Sequence, residues 1–366
     1  MKILSVFGTR PEAIKMAPVL LELARHPDRI FSRVCVTAQH REMLDQVLTL
    51  FGIVPDHDLD IMRSDQTLTQ VTCEALARLD PVLSEERPDW VLVQGDTTTV
   101  LAASLQAHYH RIRLGHVEAG LRSHCKHHPF PEEINRSVAS IIADLHFAPT
   151  EHARDNLLRE GIPRERIRVT GNTVIDALQR VVAMPCDLES HLPSLSPDQR
   201  ILLVTAHRRE SFGEPLQRIC EALRQIALAH PDVQIVYPVH PNPNVWQPVF
   251  AALEGVDGIT LLPPLDYLTM AHLMRRAHLI LTDSGGLQEE APGLDKPVLV
   301  LRETTERPEA VEAGTVEVIG TRTRRIVEAT NALLTDQARY SAMAKAINPF
   351  GDGHAAERIV EALLGA

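Results

Sequence analysis

Cysteine is scarce in this chain of 366 residues. The five present, Cys35, Cys73, Cys125, Cys186 and Cys220, are odd in number, widely spaced and never form C-x-x-C. That pattern argues against a disulfide framework and against a zinc ribbon, so no metal is expected. Long apolar runs are also missing: none approaches the roughly 18 residues a membrane-crossing helix needs. The start, Met1 to Gly8, has too short an apolar stretch for a signal peptide, and no small-residue cleavage site follows. Positive charge is in the minority, 37 basic against 48 acidic residues, for a formal net charge of −11. Such a balance leaves no broad basic surface, which excludes general binding of nucleic acid or anionic membranes. It still allows a small anion held by a few local cations. The expectation is a soluble, reduced, cytoplasmic protein.

What the sequence does have is apolar material in short pieces. Hydrophobic residues make up 44% and charged residues 23%, enough for packed cores rather than disorder. At roughly 150 residues per domain the length suggests two or three domains. Nine short apolar runs read as strands: 2–7, 33–37, 90–94, 113–117, 145–148, 201–205, 233–237, 279–282 and 298–301. They are near-continuously apolar, which suits parallel strands covered on both faces. Between them lie helical patterns at 12–25, 68–86, 98–108, 215–229 and 355–364. Pro18 should kink the first of these or weaken one of its turns. The stretch 185–199, PCDLESHLPSLSPDQ, has no apolar period and reads as a loop beside a domain boundary. Afterwards the order strand, polar turn, helix restarts. The predicted fold is α/β: two Rossmann-like domains in tandem, with ligands bound beyond the carboxyl ends of the strands.

The loops at those strand ends therefore carry the functional reading. After the first strand, Gly8-Thr9-Arg10-Pro11-Glu12 allows a tight turn into a helix whose exposed N–H groups, with Arg10 beside them, suit an anion. A plain strand-to-helix turn with a surface arginine explains it equally well. The loop is neither a dinucleotide fingerprint nor a P-loop. In Gly95-Asp96-Thr97-Thr98-Thr99, Asp96 or a threonine caps the next helix, or Asp96 is chemical. Glu118 follows an apolar strand and precedes Gly120; a half-buried carboxylate there is costly without a partner, which favours a role. The pair Glu132-Glu133 fits the first turn of a helix, a sufficient explanation for Glu133. It is less sufficient for Glu132 if Asp96 and Glu118 lie close in space, since converging carboxylates repel and split their pKa values.

In the second half, Ala206-His207-Arg208-Arg209 places a histidine and two arginines after a strand, suited either to protonate a leaving group and steady a phosphate or to structural hydrogen bonding. The turn at Val239-His240-Pro241 is a weaker signal. The strongest is Thr282-Asp283-Ser284-Gly285-Gly286-Leu287-Gln288-Glu289-Glu290. Ser284 can cap, the two glycines let a diphosphate approach backbone N–H groups, and Glu290 can accept from both ribose hydroxyls. Arg302 and Arg307 supply cations near the next strand end. A tight turn and a solvated charged loop remain the structural alternatives.

Taken together, FGTRPEAIKMAP, TAQHREMLDQVL, GDTTT, GHVEAGLR, PEEINR, TGNTVIDAL, AHRRESFG, YPVHPNP, LTDSGGLQEEAP and TTERPE resemble the bacterial non-hydrolysing UDP-N-acetylglucosamine 2-epimerases, from Met1 to NPFGDG at 348–353. The resemblance implies a GT-B arrangement with the active site in the cleft, residues 1–171 plus 350–366 forming one domain and 172–349 the other. It implies a homodimer that interconverts UDP-GlcNAc and UDP-ManNAc without a cofactor, through elimination of UDP, a 2-acetamidoglucal and re-addition, in the supply of surface polysaccharide. It carries catalytic roles onto Asp96, Glu118, Glu132 and His207. Arg10, Lys15, Arg136, Ser284, Gly285, Gly286, Glu290 and Arg307 would hold the substrate. A second, activating UDP-GlcNAc would meet Gln39, Gln66, Arg208, Arg209 and His240. The sequence departs from the family at Glu42, where some members have glutamine, and at Asp65, near which some have arginine. It departs again at Cys125-Lys126-His127-His128, where Tyr-Ser is usual.

Overall fold

Nine apolar runs in a row dictate sheets covered on both sides, and the computed structural model has two of them. It describes residues 1–38, 41–63, 65–192 and 199–366. In the first sheet the strands are β1 (Lys2–Phe7), β2 (Phe31–Val36), β3 (His57–Asp58), β4 (Trp90–Gln94), β5 (Arg113–Val117), β6 (Leu145–Ala148) and β7 (Ile167–Val169), ordered β3-β2-β1-β4-β5-β6-β7. In the second they are β8 (Arg200–Thr205), β9 (Val233–Pro238), β10 (Ile259–Leu262), β11 (Leu279–Thr282), β12 (Val298–Val300) and β13 (Val316–Val318), ordered β10-β9-β8-β11-β12-β13. Every pairing is parallel. Each order doubles back beside its first strand, at β1/β4 and at β8/β11, which are the switch points of doubly wound sheets.

All nine runs read from the sequence are strands. The four strands without such a run, β3, β7, β10 and β13, are the four sheet edges. An edge strand is covered on fewer sides, so it has no continuous apolar run: β7 buries only Ile167 of its three residues, and β10 none fully. The helices also lie where periodicity places them, at Arg10–Leu23, Leu68–Glu86, Thr98–Tyr109, Glu214–Ala229 and Ala355–Leu364. Pro18 lies inside the first, a helix that runs from Arg10 to Leu23, and is buried there among Met16, Ala17, Val19 and Leu20.

The chain divides into two compact units, Met1–Ala177 with Phe350–Ala366, and Leu178–Pro349. In the first, the core under β1, β4 and β5 is built from Leu4, Val6, Val91, Val93 and Leu114 against Ala75, Leu79, Val100 and Ala103. The C-terminal segment is tied into this unit. Asn172 N–H donates to the Phe350 carbonyl at 2.6 Å and Ala356 N–H to Asp176 at 2.8 Å. In the second unit Leu202, Val204, Ile235, Tyr237 and Leu281 pack against Ile219, Leu223, Ile226 and Ile326. Among the described residues no helix is long and apolar enough to cross a membrane.

Candidate active site

In the first unit the carboxyl ends of β1, β4 and β5 gather the predicted acids. β4 ends in Gln94, the chain turns at Gly95 with φ +78°, and Asp96 follows. The helix from Thr98 is capped by Thr97, whose hydroxyl accepts from Val100 N–H, so Asp96 is not its cap. Instead Asp96 pairs with Arg136 at 3.2 Å, and its carbonyl accepts from the Asn135 side chain at 2.9 Å. Burial raises its pKa to about 6; Glu118 and Glu132 push the same way, against Arg136 and Lys15. Four charged neighbours in this unit therefore act on Asp96.

Glu118 is more deeply buried than the half-buried position expected of it, at 9% exposure, with its backbone in the left-handed region at φ +62°. Its depth is tolerable because partners converge on it. The Lys15 ammonium and the Gln94 amide both donate to it, and the Asn172 amide donates at 2.9 Å. Non-glycine residues rarely adopt that backbone region, and they cluster at sites where the surroundings hold them there.

Glu132 and Glu133 open the helix Glu132–Ile142 and separate cleanly in environment. Glu133 is buried and accepts from Ser123 N–H, from His124 N–H at 2.9 Å and from Arg136. Burial opposes ionisation, yet these amides and the guanidinium hold its pKa below the usual range. Its role is to pin the loop at Ser123-His124. Glu132, half-buried, is the one whose charge reaches Asp96. Arg136, predicted to meet substrate, is buried between Asp96 and Glu133. Arg10 is half-buried at the start of its helix. Beside it Glu12 accepts from Gly8 N–H, Thr9 N–H and the Thr97 hydroxyl; burial raises its pKa to about 7 against those bonds.

In the second unit β8 and β11 end side by side. Thr205 and Thr282 share a hydrogen bond at 2.6 Å; His207 stands two residues after the first and Asp283 directly after the second. Ser284 stands at the N-cap of the helix Gly285–Glu290, but its hydroxyl makes no capping bond; the expected cap is corrected. The Ser284 amide donates to Thr282 Oγ1 instead. A methyl group added to Gly285 would lie 3.7 Å from the Arg208 guanidinium and 3.8 Å from that of Arg307, so the two cations flank this turn. Arg307 is ion-paired to Glu289. Glu290 is buried, lies against Gly286, and accepts from the Tyr267 hydroxyl at 3.1 Å. His207 stacks on His240 at 5.3 Å.

The residues expected around an activator are placed less uniformly. Gln39 lies outside the described residues. Gln66, in the first unit, has both ends of its amide on backbone: it accepts from Arg63 N–H and donates to the Ile61 carbonyl. Arg209 and His240 are exposed and Arg208 half-buried. Sequence reasoning gave no role to Gln94, Asn172, Tyr267 or Asp283. Gln94 could have been found as the one polar residue closing a buried apolar strand.

Three acids with interleaved cations on one Rossmann-like unit, and a glycine turn flanked by arginines on another, define an α/β enzyme equipped for acid–base work and for an anionic, nucleotide-like group. Comparison with known proteins is more specific. The chain belongs to the UDP-N-acetylglucosamine 2-epimerase family, whose sequence profile matches residues 22–364. It is 59% identical to the UDP-N-acetylglucosamine 2-epimerase of Yersinia pestis, over 99% of this chain and 98% of that one. It is 57% identical to that of Escherichia coli K12, over the same shares. Among solved structures, the UDP-GlcNAc 2-epimerase of Neisseria meningitidis bound to UDP-GlcNAc superposes with a TM-score of 0.93 at 49% identity, covering 100% of both chains. That of Methanocaldococcus jannaschii in complex with UDP-GlcNAc and UDP gives 0.82 at 35% identity, again covering 100% of both.

Proposed function

We propose that the protein interconverts UDP-GlcNAc and UDP-ManNAc by inverting C2 of the sugar. The observation that carries this reading is the group Asp96, Glu118 and Glu132, with Lys15 and Arg136 between them and Asp96 raised to about 6. The C2 proton is not adjacent to a carbonyl, so its direct removal would leave an unstabilised carbanion. Elimination avoids this. The anomeric C–O bond breaks, its electron pair leaves with UDP, a carboxylate takes the C2 proton, and a C1=C2 double bond forms. In the return step an acid delivers a proton to the other face of C2 and UDP re-adds at C1. The path needs carboxylates of unequal pKa and a firm hold on UDP. No net oxidation occurs, so no redox cofactor is required.

In this reading Asp96, Glu118 and Glu132 serve the proton transfers, and His207 the diphosphate or its leaving oxygen. Arg10, Lys15, Arg136, Ser284, Gly285, Gly286, Glu290 and Arg307 hold or orient the nucleotide sugar. UDP-GlcNAc activates at a second site that includes Gln39, Gln66, Arg208, Arg209 and His240. The enzyme works as a cytoplasmic homodimer, with residues near 171 and 350 as its domain boundaries and UDP-ManNAc for surface polysaccharide as its product.

Incubation with UDP-GlcNAc in D₂O, followed by NMR, tests the reading. Deuterium at C2 with UDP-ManNAc formed supports it; free ManNAc indicates hydrolysis instead; no exchange without an added acceptor overturns it in favour of a transferase or a sensor. Prompt turnover of UDP-ManNAc with no UDP-GlcNAc present would count against an obligatory activator.

A further inference from the structure

Asp283 is fully buried at the end of β11, and the proposed chemistry does not use it. Its Oδ2 accepts from the backbone N–H of His207 at 2.6 Å and of Arg208 at 2.7 Å. Those two bonds fix the turn that carries His207. Its other oxygen, Oδ1, is buried and makes no hydrogen bond. Buried polar atoms are nearly always hydrogen-bonded, and an orphaned carboxylate oxygen is costly. Oδ1 faces Nε2 of His207 at 3.7 Å, about half an ångström beyond hydrogen-bonding reach. The far face of the imidazole is stacked on His240. A small rotation of the ring within that stack would satisfy both groups.

We propose that Asp283 is a positioning residue for His207: it holds the backbone of the histidine turn with one oxygen and the imidazole with the other, as an Asp–His pair. The pairing keeps the proton on Nε2, turns Nδ1 outward as the acceptor, and stabilises the imidazolium once Nδ1 takes up a proton. The groups that act on the ring are Asp283 from β11, His240 from the turn after β9, and Arg208 from its own turn. Burial of the ring, with His240 and Arg208, opposes protonation, and Asp283 is the anion that favours it. The inference rests on His207 acting in the proposed epimerisation.

The test uses the full chain. By ¹⁵N NMR of the wild-type imidazoles, His207 is expected as a single Nε2–H tautomer below the Asp283 contact; an averaged mixture of tautomers overturns the pairing. This measurement requires no variant to fold. Asp283→Asn retains a carbonyl oxygen for the two backbone amides and puts an uncharged amide donor in place of the anionic acceptor that faces the imidazole. It should lower the pKa of His207, and an unchanged titration also overturns the proposal. In turnover, His207→Asn and Asp283→Asn should each cost roughly 10²-fold or more, and the double variant should be no slower than His207→Asn alone. Multiplying losses would mean that Asp283 acts independently of the histidine, and the proposal fails. If His207→Asn keeps full turnover while the NMR results hold, the pair stands and it is the catalytic reading of His207 that is wrong.

Discussion

The Arg136 guanidinium lies 3.2 Å from the carboxylate of Asp96 while also gripping Glu133, three residues before it on the same helix. One cation thus anchors the loop held by Glu133 and opposes the raised pKa of Asp96. Burial, Glu118 and Glu132 push Asp96 up, and Arg136 and Lys15 hold it back, leaving it at about 6.

Removing that cation should move the acid limb of the reaction. Arg136→Gln deletes the largest opposing influence on Asp96, so its pKa rises further and the deprotonated fraction at pH 7 falls. The expected result is an ascending limb of kcat/KM that shifts to higher pH, with Arg136→Lys retaining most of the wild-type profile. A pH–rate profile measured from pH 5 to 9 decides it; an unmoved limb would show that Asp96 does not set the activity.

Glu132 and Glu133 should separate function from stability. Glu133 is a buried acceptor for two backbone amides and Arg136, and breaking a buried charged pair typically costs about 3–5 kcal/mol. Glu133→Ala is therefore expected to lower the unfolding midpoint strongly. Glu132→Gln should leave that midpoint nearly unchanged and abolish deuterium exchange at C2. Thermal unfolding and the D₂O assay on the same two proteins check both halves, and the opposite pattern would reverse the assignment of the two residues.

This contrast shows where sequence reading reaches and where it stops. Continuous apolar runs made the inner strands legible because inner strands are covered on both faces. The edges β3, β7, β10 and β13 are not so covered and left no such run. Asp96, Glu118 and Glu132 were legible as acids at strand or helix ends. Their partners were not: Lys15 meets Glu118 from 103 residues away and Asn172 from 54, and no local pattern encodes such pairings. Ser284 illustrates the converse. Its position is the predicted N-cap, but its own hydroxyl does not cap and its amide goes to the Thr282 hydroxyl, which is itself bonded to Thr205 on the neighbouring strand, 77 residues away in sequence.

The site acids also have a cost in stability, with a definite sign. Asp96 has a folded-state pKa of about 6 against an ordinary 3.8, so the folded protein binds its proton more tightly than the unfolded chain does. The protonated form is thus favoured by folding. That contribution is fully present below pH 3.8 and is lost as pH rises through about 6. Asp96→Asn, which cannot ionise, should therefore be inactive and more stable than the wild type at pH 7, by at most about 3 kcal/mol. The advantage should shrink as the pH is lowered toward 4. Urea unfolding at pH 7.5 and 5 reads this out; a variant less stable at pH 7.5 would mean that the Arg136 pairing outweighs the burial of the charge.

Behind the acids lie two buried histidines with the opposite dependence. His116 is fully buried, with Nε2 donating to the Gly95 carbonyl at 2.7 Å, and burial lowers its pKa to about 4. Its strand neighbour His146 is equally buried, and burial lowers it to about 3, since a proton there would also be repelled by one on His116. Both are neutral in the folded protein and take up protons readily only when it unfolds. Their contribution is complete above pH 6.5 and is lost as pH falls toward 4, by about 1.4 kcal/mol per pH unit for each histidine. Over the same range Asp96 and Glu12 change in the other direction, so the wild-type stability should vary little between pH 7 and 5. The balance can be broken from one side. His146→Leu removes one proton-uptake site of the unfolded state while keeping an apolar side chain in the core. Relative to the wild type, this variant should gain stability steadily as pH falls from 7 to 5, whatever its absolute stability. Asp96→Asn should lose ground over the same interval. Parallel urea titrations of the three proteins at pH 7, 6 and 5 should therefore give curves that diverge in opposite directions, and parallel curves would mean that neither buried group titrates as its environment requires.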